Sequence, residues 1–385
     1  MASINDPSWV SVASSDFFVE ILSRLPVKTL GSFSTVCKSW HSFIKTKTFI
    51  QTHLKNYCQK NSSSIELPSI PYLSCSSKTI ILDEISKNLM AYCTPQDLSV
   101  VGNSCNGIIC FTDNKTYYGT RVFLSNPILK KTKCISHFWK TDFRPYLNIY
   151  SKLGFGCLEY NDFKVVRIYY FKDINSSKLL VVKPQVEVYS SKADNWRKID
   201  EANINCIADK RSVSCNGAIY WLGRRREEWS CDIILSFDLA NESFDEIILP
   251  PIESKVSKNA ILLVYNGLLA FWTVSSVNNN NTMLSESNWR RSNMIIGSLC
   301  QIETEYCYDL WVMMDKKVSN SWRKLGVFET KKNVTEVRGF TNGGKLIMEI
   351  WESDYLASWD PINGEIQFLK WNEIDTTFFG SLVSF

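Results

Sequence analysis

A chain of 385 residues is long for one helical domain and has room for two or three units. Its 45% apolar content supports a buried core over most of its length, and its 21 Phe, 16 Tyr and 13 Trp suit pleated, half-buried strands. The net charge is +4, and residues 1–57 hold +3 of it through six basic and three acidic side chains. The remainder is near neutral and lacks the clustered Lys and Arg that phosphate contacts need, which excludes nucleic acid as a partner.

Thirteen Cys without a CxxC pair read as free thiols in a reducing compartment. The opening MASINDPSWV has no basic region followed by an apolar run, so no signal peptide is expected. No apolar stretch approaches the roughly 18 residues of a membrane span. The expected compartment is the cytosol, with access to the nucleus.

In chain order, residues 1–13 are expected to be a flexible N-terminus, and 14–56 a set of short helices. Ser15 or Asp16 suits an N-cap, and Asp16 and Glu20 lie where a helix dipole favours negative charge. Phe17 or Phe18, Ile21, Leu22 and Leu25 share one helical face until Pro26 ends the run. A second helix is expected to carry Leu30, Phe33, Val36 and Cys37, and a third Trp40, Phe43 and Ile44, with Phe49 and Leu54 following. Three helices over so few residues bury little apolar surface. Either a partner covers the remaining stripe or the downstream domain does.

The string Ile21-Leu22-Ser23-Arg24-Leu25-Pro26, followed at the family's spacing by Val36-Cys37-Lys38-Ser39-Trp40, resembles the F-box signature. The resemblance implies that Ile21, Leu22, Leu25, Pro26, Val36, Cys37, Lys38 and Trp40 either bind a Skp-type adaptor or hold the helical fold. The sequence departs from the family ahead of the first helix, where Ala13-Ser14 replaces the usual Leu-Pro.

The Ser-rich stretch NSSSIELPSIP places a linker and the start of a second domain at 57–72, and 73–385 reads as all-β. SCNGIICF (104–111) recurs as SCNGAIYWL (214–222), and more loosely as YNGLLAFW (265–272) and TNGGKLIM (341–348). In each, Asn-Gly predicts a type I′ hairpin turn, which needs φ > 0 at both central residues. Intervals of 110, 50 and 76 residues separate these Asn, the first read as two units of about 55 and the last as one unit stretched by a loop at Asn278–Asn281. A second repeat, strand–turn–strand, appears at 186–200, 234–250, 310–328 and 356–371, and Asn195-Trp196-Arg197-Lys198 nearly equals Ser321-Trp322-Arg323-Lys324. Units of this length fit propeller blades, and residues 65–385 divide into about six. Together with Gly154-x-Gly156 and Asp162-x-Lys164-Val165-Val166, these repeats resemble the kelch-like F-box-associated domain of plant F-box proteins.

No catalytic constellation stands out. Only His41, His53 and His137 exist, the glycine pair lacks the third Gly of a dinucleotide loop, and Cys105 and Cys110 read as small core residues. Neither a cofactor nor a metal is expected, and Trp196, Trp221, Trp272, Trp311, Trp322 and Trp351 read as blade core. Candidate recognition loops are 137–148, 224–230 and 275–292, containing Arg224, Arg225, Arg226, Glu227, Glu228, Trp289, Arg290 and Arg291. Asp232, Asp238, Asp245, Glu246, Glu303 and Glu305 are candidates for an acidic patch. The resemblance implies a non-catalytic receptor of a cullin-RING ubiquitin ligase that binds a Skp adaptor and a protein target. Within the family the chain is most similar to S-locus F-box proteins and their paralogues, which implies a pollen factor for style ribonucleases. A paralogue recognising another protein, a glycan or a small ligand is the alternative.

Overall fold

The computed structural model describes residues 16–60, 98–113, 121–126, 129, 131–135, 147–159, 161–173, 183–200, 202–225, 233–252, 260–279, 304–316, 318, 321–341, 343–351, 353 and 355–370. A short helical module is followed by an all-β propeller. The helices are α1 (Asp16–Leu22), α2 (Val27–Phe33), α3 (Lys38–Ile44) and α4 (Lys47–Lys60). Leu22, Leu30, Ile44 and Phe49 form their small core, with Phe18, Leu25, Phe33, Trp40 and Phe43 packed against it.

Two sequence expectations shift here. The second helix ends at Phe33, so Val36 and Cys37 lie in the connection to α3, with Cys37 in an extended conformation (φ −157°) at its N-cap. The segment from Lys47 is a fourth helix of 14 residues, running past position 57, where a linker was expected to begin. Its apolar side chains explain why it continues. Phe49 faces the helical core, whereas Ile50 and Leu54 pack with Val101, Cys105 and Ile108 of the β domain. One helix thus serves both cores.

The described β residues form five antiparallel sheets: β1–β4 (98–134), β5–β8 (147–199), β9–β13 (206–248), β14–β17 (261–330) and β18–β21 (334–370). Sequence neighbours pair within each sheet, and β9 adds a fifth strand to the third by pairing with the end of β11 (Ala218–Arg225). The expected count of about six came from dividing 65–385 by length; the described residues form five blades.

Three of the four Asn-Gly turns form as their chemistry demands; at the fourth, Asn342 lies outside the described residues and the positive φ (79°) falls on Gly344. Asn106 and Gly107 have φ of 48° and 73°, Asn216 and Gly217 49° and 72°, and Asn266 and Gly267 47° and 77°. Each leads into the second strand of its blade, in blades one, three and four. Blade two lies in the 110-residue interval and lacks the motif. Asn278 and Asn279 are not loop; they lie in β15 (Leu268–Asn279) and pair with Glu305 and Thr304 of β16 (Thr304–Met313).

The core is a series of seams between consecutive blades. Cys110 and Leu124 of blade one meet Phe155 and Val165 of blade two, whose Val166 and Ile168 meet Trp221 and Leu235 of blade three. Leu222 then faces Phe271 of blade four, and Trp272 faces Trp359 of blade five with ring centroids 5.8 Å apart. The Gly154-x-Gly156 pair belongs to these seams. A Cβ on Gly154 would stand 2.2 Å from Trp221 Cζ2, and one on Gly156 would stand 2.6 Å from Ser214 Oγ. Only glycine lets β5 (Leu147–Glu159) approach blade three this closely.

Candidate functional site

The helical module sorts the eight F-box positions by burial. Leu22 is core at 3% exposure, while Leu25, Cys37 and Trp40 are half-buried. Trp40 stands edge-on between Phe18 and Phe33, with centroids 5.4 and 5.2 Å away. These four hold the fold. Ile21 is 45% exposed and Val36 68%, and Pro26 and Lys38 are exposed as well. Phe17, one helical turn before Ile21, is 75% exposed and adds to this apolar stripe. Its spacing to Ile21 marked it as a face residue, but only burial separates it from Phe18, which turns inward.

The loop carrying Leu25 and Pro26 is fixed from behind by α4. His53 Nε2 donates to the Leu25 carbonyl at 2.9 Å, and Asn56 Nδ2 donates to Ser23 Oγ at 2.6 Å. Burial lowers the His53 imidazole pKa from its ordinary value, partly opposed by the Leu25 carbonyl. Sequence reasoning passed over both residues; the recurrence of Phe49 and His53 at a helical turn was the available signal. Arg24 pairs with Glu20, and Lys38, Lys45 and Lys47 are exposed.

On the propeller, Arg224 and Arg225 are not in a loop. They end β11 and pair with Ile207 and Cys206 of β9 (Cys206–Ala208), because that extra strand lengthens the ladder. Arg224 is half-buried and Arg225 exposed. Arg226, Glu227, Glu228, Trp289, Arg290 and Arg291 lie outside the described residues, as does His137. Asp232 and Glu303 of the acidic group lie outside the described residues; of the others, Asp245 and Glu246 are successive residues of β13 (Phe244–Ile248) and point to opposite faces, while Asp238 is paired with Lys316 at 3.0 Å. Trp221 and Trp272 are blade core as expected, but Trp351 is 57% exposed, standing in a turn after β19 (Leu346–Ile350).

The repeated tetrapeptide has one structural job in both copies. Trp196, on β8 (Asn195–Ile199), donates its indole N–H to the Ile135 carbonyl of the preceding blade, and Trp322, on β17 (Trp322–Thr330), donates to Ile248 O at 2.9 Å. Charged side chains bridge blade boundaries as well, at one–two and two–three. Lys133 of blade one meets Asp194 at 2.7 Å, and Lys164 of blade two meets Glu242 at 2.8 Å and the Leu239 carbonyl at 2.5 Å. Asp194 and Glu242 occupy matching hairpin turns with φ of 51° and 54°. The Asp162-x-Lys164-Val165-Val166 string is therefore part of the blade-to-blade fastening. Among the described residues no group of three or more His, Cys, Asp or Glu could hold a metal ion, and no helix is long and apolar enough to cross a membrane.

A helical module with an exposed apolar stripe, joined through a shared helix to a bladed β domain, defines an F-box protein with a propeller. Residues 14–52 match the F-box domain family, and residues 52–347 match the F-box associated beta propeller domain family. The chain belongs to the F-box-associated β-propeller family. The two matches meet at Thr52, inside the helix that serves both cores. A putative F-box/kelch-repeat protein of Arabidopsis thaliana is 26% identical over 375 residues, covering 92% of this chain and 94% of its own. Two putative F-box proteins of the same plant are 25% identical over 261 residues (66% of this chain, 64% of theirs) and 26% identical over 343 residues (85% and 82%).

Proposed function

We propose that this chain is the substrate-recognition subunit of an SCF-type cullin ubiquitin ligase and performs no chemistry itself. The observation that carries the reading is the sorting of the F-box: one face is spent on the helical core, and Phe17, Ile21, Pro26, Val36 and Lys38 are left outward for a Skp-type adaptor. At about 1.5–3 kcal/mol per fully buried side chain, scaled by present exposure, covering Phe17, Ile21 and Val36 supplies roughly 4 kcal/mol gross. The excess of six basic over three acidic side chains in residues 1–57 suits an adaptor with an acidic surface. Helix α4 carries the adaptor's position to the propeller, where a protein target is held near the charged ubiquitin carrier; the gain is proximity.

For the target, similarity to S-locus F-box proteins supports a style ribonuclease in pollen self-incompatibility. Expression in pollen and binding to such a ribonuclease test that assignment; absence of either returns the chain to a paralogue with another target. The cytosol, with nuclear access, is the proposed compartment. The ligase reading is tested by immunoprecipitating the full chain from its native tissue. A Skp adaptor and a cullin should co-purify in comparable amounts and both vanish with Val36→Asp. Recovery of neither with the unaltered chain would sink the proposal.

A further inference from the structure

The outermost strand of blade five differs from its counterparts. β21 (Ile366–Lys370) ends the sheet order β18–β19–β20–β21, and among the described residues it pairs with β20 (Tyr355–Trp359) alone. Such an edge offers backbone N–H and C=O groups to another chain, and charged side chains are the usual protection. The outer strands of the other blades carry that protection. β4 (Lys131–Cys134) exposes Lys131, β8 exposes Arg197 and Lys198, β13 exposes Asp245 and Glu246, and β17 exposes Arg323 and Lys324. In β21 the run Ile366-Gln367-Phe368 is exposed and carries no charge, with Ile366 at 40% and Phe368 at 61%.

The ladder decides which backbone groups face outward. Where the β20–β21 hairpin opens, the Asp360 N–H donates to the Glu365 carbonyl at 2.9 Å. Hydrogen-bonded positions alternate along an antiparallel pair, so 365, 367 and 369 bond toward β20. The N–H and C=O of Ile366 and Phe368 therefore point away from it. Their side chains share one face, since Ile366 lies opposite Trp359 and Phe368 opposite Ala357.

We propose that β21 is a pairing edge for a second copy of this chain, joined antiparallel about a two-fold axis through Gln367. Residues opposed in an antiparallel pair share a face, so the axis passes through one residue of the strand. At Ile366 it would set Phe368 against Gly364 of the turn, and at Phe368 it would set Ile366 against Lys370. At Gln367 each Ile366 meets the Phe368 of the other copy, an aromatic–β-branched pair of the kind that stabilises sheets. Each of these pairs exchanges both of its N–H···O bonds, because the groups already face outward. Glu365 then stands opposite Leu369, so no like charges oppose one another. The surface is thus complementary to itself. Two short strands bury less than the roughly 1,200–2,000 Å² of a standard interface, so the dimer is reversible and populated at tens of micromolar or so.

Sedimentation velocity of the purified full chain from about 1 to about 100 µM, with a reductant present, tests the pairing. The unaltered chain should pass from monomer to dimer across that range. Phe368→Lys, a change at an exposed site, should stay monomeric with far-UV circular dichroism unchanged. The register is read by cross-linking. Opposed Gln367 residues form a non-hydrogen-bonded pair with Cα atoms about 4.5 Å apart, within disulfide reach, whereas the two Glu365 positions lie roughly 14 Å apart along the strands. Under mild oxidation Gln367→Cys should give a dimer linked through position 367, mapped by mass spectrometry without reduction, at least about tenfold faster than Glu365→Cys gives one through 365. An unaltered chain that is monomeric throughout the range, as an occupant other than a second copy requires, overturns the proposal. So does a dimer that survives Phe368→Lys, or equal cross-linking at the two positions.

Discussion

Adding a methyl group to Gly154 should damage the propeller more than any change of that size on its surface. The ideal Cβ of Gly154→Ala falls 2.2 Å from Trp221 Cζ2 and 2.8 Å from Ile219 Cγ2. Neither neighbour has room to retreat, since both are fully buried in the seam between blades two and three. Moving Trp221 also breaks the bond from its Nε1 to Leu153 O, now 3.1 Å. Overpacking costs about 1–3 kcal/mol, and the lost hydrogen bond adds about 1 kcal/mol, so the variant should lose roughly 2–4 kcal/mol. Chemical denaturation followed by tryptophan fluorescence reads this as a lower midpoint. The second arm replaces Trp221 with Phe, which removes the ring atoms that collide. The destabilisations of the two single variants should then sum to more than that of the double variant by at least about 1 kcal/mol. An unchanged midpoint for Gly154→Ala, or strict additivity with Trp221→Phe, refutes the close-approach explanation.

Three further outcomes follow from the seams and the helical module. Trp322→Phe keeps the ring but removes the N–H given to Ile248 O, and should cost about 1 kcal/mol by urea denaturation. Glu242→Gln leaves the buried Lys164 ammonium without its carboxylate and should cost about 2–3 kcal/mol, recovered in part by adding Lys164→Met; a double-mutant cycle measures the coupling. His53 is held neutral by burial, with its folded pKa below the ordinary 6.5. The unfolded chain therefore binds the proton more readily, so the stability of the helical module is complete above that value and declines as pH falls through the folded pKa. Helical circular dichroism in urea should show the loss setting in as pH falls below about 6.5, and His53→Gln should flatten it.

The F-box was legible because two contiguous blocks at fixed spacing carry it. Which of its residues face outward was not, since Ile21 and Leu22 are both apolar and only packing against α4 separates them. The Asn-Gly hairpins were readable because few residue pairs tolerate φ > 0 twice in succession, and they announced blades one, three and four. Blade two turns at Glu159–Asp162 without that pair, so length alone stood in for it. The twin tetrapeptides were visible as a repeat, yet their role depends on which carbonyl of the preceding blade stands opposite each indole. Arg225 read as loop because a run of charge interrupts the strand rhythm; pairing with β9 keeps it extended. The fourth helix was missed because its two apolar stripes serve different cores and blur a single amphipathic face.

Direct binding of the purified full chain to a Skp adaptor tests the central claim. Unaltered protein should bind, while Ile21→Asp and Val36→Asp should each weaken binding by at least about tenfold with helical circular dichroism unchanged, a loss of about 1.4 kcal/mol or more. Equal binding by the two variants and the unaltered chain, or no binding by the unaltered chain, would contradict the assignment of this stripe as the docking surface.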